Sequence, residues 1–161
     1  KKIFKIRNFG SKKKYFHELK GINTKLQPIE GIVLQEKLKY LDEWNKEREE
    51  IANTYLDSLK NINKLVIPKT FKNNKHVWHL FVVEVDNRNK FINYLNTNNI
   101  EIGIHYPFPI IKQKAYDSHF QKQEIFEKSF SQHKKLVSLP IFPKMKKEEL
   151  NYVIETIIKY F

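Results

Sequence analysis

Apolar residues recur at steps of three, four and seven from Ile32, Val33 and Leu34 through Leu38, Leu41, Trp44, Ile51 and Tyr55 to Leu59. This spacing puts them on one face of a helix, with Glu36, Lys37, Asp42, Glu43, Lys46, Glu47, Glu49 and Glu50 on the opposite face. Pro28 suits the first turn, where its missing N–H has no helical partner. The pattern predicts one long helix over residues 28–60, about 48 Å at its usual rise. A helix of that length normally packs on something beyond its own small domain, so a partner domain or subunit is expected at its amino-terminal half.

The hydrophobic period then changes. Residues 76–85 are rich in β-branched and aromatic side chains, with Val77, His79, Phe81, Val83 and Val85 on one face and Trp78, Leu80 and Val82 on the other, which predicts a strand covered on both sides. Asp86-Asn87 caps a helix to about residue 96, and Asn98-Asn99 ends it in a left-handed turn. A strand over 100–106, a helix over 123–134, a strand over 136–139 and a helix over 146–160 complete the order. The last helix has its apolar stripe at Leu150, Val153, Ile154, Ile157 and Ile158. The fold class expected is α/β (α+β), a two-layer small domain with a short, mainly antiparallel sheet flanked by helices. Trp44 and Trp78 fall at core spacing. Residues 1–27 have weak periodicity, with an expected helix end at Ile3-Phe4 and Ile6 followed by Gly10-Ser11, Lys12-Lys13-Lys14 and Gly21. They read as a lead-in from a domain upstream, leaving 28–161 as the small domain.

Composition narrows the classes. The chain has 161 residues, enough for one independent core. It contains no cysteine, which excludes disulfides, thiolate zinc sites and a cysteine nucleophile. With no long apolar run and no secretory signal in Lys1-Lys2-Ile3-Phe4-Lys5, a soluble cytoplasmic protein without membrane contact is expected. The net charge of +12 invites a nucleic-acid reading. Against it, Lys, Ile and Asn together make 61 of 161 residues, the bias of A/T-rich coding sequence. Only Arg7, Arg48 and Arg88 could supply bidentate base contacts. Residues 1–25 hold nine Lys and Arg against the single acid Glu18, so +8 of the +12 is local and suits a phosphate on a small ligand.

Candidate chemistry is sparse. The histidines at 17, 76, 79, 105, 119 and 133 show no metal spacing. The stretch Gly103-Ile104-His105-Tyr106-Pro107-Phe108-Pro109, followed by Gln113 and Ala115-Tyr116, closes a strand in an imidazole and a phenol, with Pro107 forcing an extended exit. His105 and Tyr106 there either meet a ligand or cap the sheet. Asn23 follows Gly21 and precedes Lys25; the amide and ammonium either meet an anion or form an ordinary turn before a helix. Tyr15 and His17 beside the lysine run form either a basic wall or a solvated loop.

In order, Arg7-Asn8-Phe9-Gly10-Ser11, Lys14-Tyr15-Phe16-His17-Glu18, Gly21-Ile22-Asn23-Thr24-Lys25-Leu26, Leu34-Gln35-Glu36-Lys37-Leu38, Leu41-Asp42-Glu43-Trp44, His76-Val77-Trp78-His79-Leu80-Phe81, His105-Tyr106-Pro107, Ser138-Leu139-Pro140 and Pro143-Lys144-Met145 run the length of the chain. This ordered set resembles the carboxy-terminal part of the DegT/StrS nucleotide-sugar aminotransferases. The resemblance implies the carboxy-terminal domain of a fold-type I pyridoxal-phosphate (PLP) enzyme. Such an enzyme moves an amino group, usually from glutamate, onto a nucleotide-linked keto-sugar in deoxyamino-sugar synthesis for polysaccharide. It implies a homodimer in which Asn23 meets the cofactor phosphate of the neighbouring subunit. His105 and Tyr106 would lie near the sugar or cofactor edge, and Tyr15, His17 and Lys25 near the nucleotide phosphates. No lysine here falls in the family's cofactor-lysine motif, so no catalytic residue is assigned and the isolated chain is expected to be inactive. Where the family commonly has arginine, Lys25 keeps the charge without the planar fork. The small pair usual in the following helix becomes Glu30-Gly31 or Gly31-Ile32. Two other readings stand beside this one: a non-catalytic binding or assembly domain that pairs with a full-length homologue, and a basic nucleic-acid-binding regulator.

Overall fold

In the computed structural model, residues 2–13, 16–113 and 126–161 are described. Tyr15, Ala115-Tyr116 and the start of the helix expected at 123–134 lie outside them. The chain divides into two units, Lys1–Leu41 and Asp42–Phe161.

The first unit opens with helix α1 (Lys2–Ile6), followed by a short antiparallel hairpin of β1 (Ser11–Lys13) and β2 (Phe16–His17). Gly10, at φ +73°, lets the chain turn against its own return: a Cβ there would sit 1.6 Å from the Leu19 carbonyl oxygen. Helix α2 (Pro28–Leu38) follows, with the Glu30 carboxylate accepting the Gln27 N–H at 3.3 Å and Pro28 in the first turn. Every large apolar side chain described in this unit is exposed, among them Ile3 at 77%, Ile29 at 69% and Leu38 at 66%.

The single helix expected over 28–60 is two helices. Near Leu38 the N–H groups of Lys39 and Tyr40 bond to Glu36 and Lys37, the tighter three-residue pattern that ends an α-helix. Helix α3 (Leu41–Leu59) then starts afresh, with Asp42 and Glu43 at the electropositive end of its dipole. This acidic pair is a helix-start signal that lies inside an otherwise unbroken apolar period.

The second unit holds the core. A three-stranded antiparallel sheet runs in the order β3 (Leu65–Val66), β4 (Phe81–Val85), β5 (Leu136–Leu139), with Phe81 opposite Leu139 and Val83 opposite Val137. Helix α4 (Arg88–Thr97) packs on β4, β5 and α6 (Lys147–Tyr160), and a short α5 (Glu127–Gln132) precedes β5. Alternation along β4 buries Phe81, Val83 and Val85. Against them lie Tyr55 and Leu59 of α3, Phe91 and Leu95 of α4, and Leu150, Val153, Ile154 and Ile157 of α6. Ile158, expected on that stripe, is exposed. The result is the expected helix-and-sheet class, with three departures. The strand expected at 76–85 is only Phe81–Val85, because Trp78 takes φ +48° and its N–H bonds to His76 Nδ1 at 2.9 Å, folding the preceding residues off the sheet. The strand expected at 100–106 is reduced to one bridge, Gly103 to Ser138. Leu65–Val66 adds a short strand too brief to show a period.

Candidate functional site

The predicted site residues fall into two groups, one in each unit. In the first unit, Asn23 forms an antiparallel bridge with Asn8, flanked by bonds from Ile22 N–H to Ile6 carbonyl at 2.9 Å and from Thr24 N–H to Arg7 carbonyl at 3.1 Å. Asn8 is itself fixed, because its side-chain amide donates to the Ser11 carbonyl at 3.2 Å and its carbonyl accepts the Ser11 hydroxyl at 2.9 Å. The backbone of Asn23 is therefore held, whereas its side-chain amide is exposed and makes no hydrogen bond among the described residues. Lys25, two residues on, is also exposed. His17 pairs with Ser11 across the hairpin, and its Nδ1 lies 2.8 Å from the Phe9 carbonyl oxygen. Lys5 and Glu18 form an ion pair nearby, and the Lys5 hydrogen bond, then its charge, hold the Glu18 carboxyl below the usual carboxylate range. A cleft of about 490 Å³ is lined by Phe4, Lys5, Asn8, Ser11 and Lys12. Exposed amide and ammonium donors on an anchored backbone are a donor set that suits phosphate oxygens.

In the second unit, His105 and Tyr106 follow the Gly103 bridge, joined by a cis peptide, with their rings edge to face at 5.7 Å between centroids. Both are exposed. His105 Nδ1 lies 2.9 Å from the hydroxyl oxygen of Ser138, a buried residue of β5. His105 and Ser138 line a cleft of about 660 Å³ with His79, Ile102, Phe142 and Tyr152. Ser138 and Gly103 carry no site role in the sequence analysis: Ser138 stands there only within the Ser138-Leu139-Pro140 segment of the resemblance, and Gly103 only as the start of the stretch that leads to His105. Among the described residues no cluster of histidines and carboxylates could hold a metal, and no helix is long and apolar enough to cross a membrane.

An exposed amide on an anchored backbone in one unit and a histidine just past the Gly103 bridge in the other come from the segments whose order carried the sequence resemblance. Residues 1–158 match the profile of the DegT/DnrJ/EryC1/StrS aminotransferase family. The chain belongs to this family. It is 46% identical over 155 residues to the dTDP-3-amino-3,6-dideoxy-alpha-D-galactopyranose transaminase of Aneurinibacillus thermoaerophilus, covering 96% of this chain and 42% of that protein. It is 32% identical over 152 residues to the dTDP-3-amino-3,4,6-trideoxy-alpha-D-glucose transaminase of Streptomyces venezuelae, covering 94% of this chain and 40% of that one. The crystal structure of S. venezuelae DesV in complex with a ketimine intermediate superimposes with a TM-score of 0.91 at 31% identity, over 97% of this chain and 42% of that chain. The chain thus spans about two fifths of the length of these DegT/StrS relatives. The family is PLP-dependent.

Proposed function

We propose that this chain is the carboxy-terminal part of a PLP-dependent aminotransferase that moves an amino group, from glutamate, onto a nucleotide-linked keto-sugar in the cytoplasm. The observation that carries the reading is the 46% identity, sustained over 155 residues, to a sugar-nucleotide transaminase. Two of the transaminases it resembles have names that share a dTDP carrier and an amino group at carbon 3 of a 6-deoxy sugar. A dTDP-linked 3-keto-6-deoxyhexose is therefore the substrate to test first.

On this reading the complete enzyme is a homodimer, and the exposed apolar residues of α1 and α2 are covered by the rest of the enzyme. The Asn23 amide donates to the cofactor phosphate of the neighbouring subunit, with Lys25 adding positive charge. Tyr15 and His17 lie toward the nucleotide phosphates, and His105 and Tyr106 toward the sugar or the cofactor edge. PLP, when bound, supplies the electron sink for moving the amino group. What these residues contribute is binding and orientation, and none is assigned to proton transfer.

The test is a chimera in which this chain replaces the matching segment of the Aneurinibacillus relative. The chimera, incubated with glutamate and the dTDP-linked keto-sugar, is expected to form the amino sugar, and the isolated chain is expected to form none. Turnover by the purified isolated chain, or a folded chimera that holds PLP yet transfers nothing, would overturn the proposal.

A further inference from the structure

Ser138 lies on β5 with 4% of its surface exposed, and its hydroxyl has one partner among the described residues, Nδ1 of His105 at 2.9 Å. A hydroxyl carries one proton, and a buried donor left without an acceptor is costly. If Nδ1–H donated to the hydroxyl oxygen, the hydroxyl proton would have no acceptor among the described residues. Donation from the hydroxyl to Nδ1 satisfies both groups. It also leaves the neutral ring with its proton on the other nitrogen.

The ring is held from below as well. Gly103 and Ser138 exchange two main-chain bonds, Gly103 N–H to Ser138 carbonyl at 3.1 Å and Ser138 N–H to Gly103 carbonyl at 2.8 Å. The imidazole lies so close over Gly103 that a Cβ there would meet His105 Cε1 at 2.5 Å and Nδ1 at 3.0 Å. Any side chain at 103 would push the ring off the Ser138 hydroxyl. Meanwhile Nε2 has no hydrogen-bond partner among the described residues, and the exposed His105 lines the cleft.

We infer that Ser138 and Gly103 are positioning residues that fix His105 as its Nε2–H tautomer, so that the imidazole offers a hydrogen-bond donor to an oxygen acceptor on the ligand. An imidazole fixed this way donates to a carbonyl, hydroxyl or phosphate oxygen through Nε2 and cannot take up a proton there. This assigns His105 to recognition of oxygen groups and excludes it as a base acting through that nitrogen. The identity of the ligand, a nucleotide-linked keto-sugar with PLP, rests on the proposed function; the tautomer does not.

The experiment is long-range proton–nitrogen correlation NMR of the full chain labelled with ¹⁵N-histidine, at mildly alkaline pH where imidazoles are neutral. His105→Gln identifies the signal. The wild-type ring is expected to show a protonated Nε2 and a bare Nδ1. Ser138→Ala is expected to reduce that preference about tenfold, the worth of one hydrogen bond. Ser138→Thr should retain it, and Gly103→Ala should lose it with the hydroxyl intact. A wild-type Nδ1–H tautomer, or an unchanged ratio in both Ser138→Ala and Gly103→Ala, would overturn the inference. Should Ser138→Ala fail to fold, the wild-type spectrum and Gly103→Ala decide. The spectrum is read without cofactor or substrate, so a wrong tautomer leaves the transaminase reading standing, and an inactive chimera leaves the tautomer standing.

Discussion

The hydroxyl of Tyr55 on α3 donates to the carbonyl of Pro140 at 2.9 Å, tying a helix to the exit of a strand 85 residues later. Tyr55 is fully buried, its ring 4.9 Å from that of Phe81, and burial raises its phenol pKa above the ordinary value of 10.0. Removing the hydroxyl in Tyr55→Phe leaves a carbonyl without its donor, and a loss of about 1 kcal/mol at neutral pH is expected by urea denaturation. The pH dependence has a definite sign. The folded state favours the neutral phenol, so this contribution is complete below pH 10 and is lost as pH rises toward the elevated folded value. Wild type should therefore lose more stability than Tyr55→Phe between neutral pH and pH values above 10. Parallel alkaline limbs for the two proteins would contradict this.

Phe81 and Ile32 test where the chain keeps its stability. Phe81 is fully buried between the rings of Tyr55 and Trp78, whereas Ile32 is 67% exposed on α2. Phe81→Ala should cost about 3–5 kcal/mol in urea denaturation. Ile32→Ser should stay within about 0.5 kcal/mol in the isolated chain. Equal losses would show that the first unit carries a core of its own.

Gly10 controls the return of the hairpin. Gly10→Ala would place a methyl group in a left-handed conformation and against the Leu19 carbonyl, so Lys12 and Lys13 should become rapid trypsin sites while the second unit's unfolding transition is unchanged. Slow cleavage at wild-type rates would refute the role of that close approach.

The Lys5–Glu18 pair is exposed, and its contribution follows the carboxylate. The folded pKa is depressed, so the contribution is present above the ordinary value of 4.5 and is lost as pH falls through the lower folded value. In Lys5→Met, carbon NMR should find Glu18 titrating back in the usual carboxylate range. An unmoved titration would assign the shift to something other than Lys5.

Asn23→Ala is the test of cofactor contact. In the complete enzyme, one lost hydrogen bond to a charged phosphate should weaken PLP binding roughly 10- to 100-fold, read by equilibrium dialysis. Unchanged cofactor affinity would leave Asn23 as the bridge residue it already is.

The helices were legible because their periods are long. The order of elements was visible in Pro28, in Asp86-Asn87 ahead of α4, where Asn87 takes the N-cap position without a side-chain bond, and in the Leu150 to Ile157 stripe. What stayed hidden was decided by single backbone positions. Trp78 has strand composition yet takes a positive φ, and Lys39–Tyr40 breaks a helix whose side chains run on without interruption. His105 was visible as a candidate because it sits two residues before Pro107 in a segment of strand composition, although only the Gly103 bridge forms there. Its partner Ser138 lies 33 residues away, and no spacing rule links a histidine to a hydroxyl brought beside it by the sheet.

The apolar side chains left uncovered before residue 42 also bear on how the chain behaves in a test tube. They share their segment with most of the net charge, +8 of +12 within residues 1–25. In dilute buffer that charge is expected to hold copies apart. Added salt shortens the screening distance to about 3 Å at 1 M and leaves the greasy surface unopposed. Solubility should therefore fall with ionic strength, making salt precipitation a simple handle on whether those residues are exposed or covered in a given preparation.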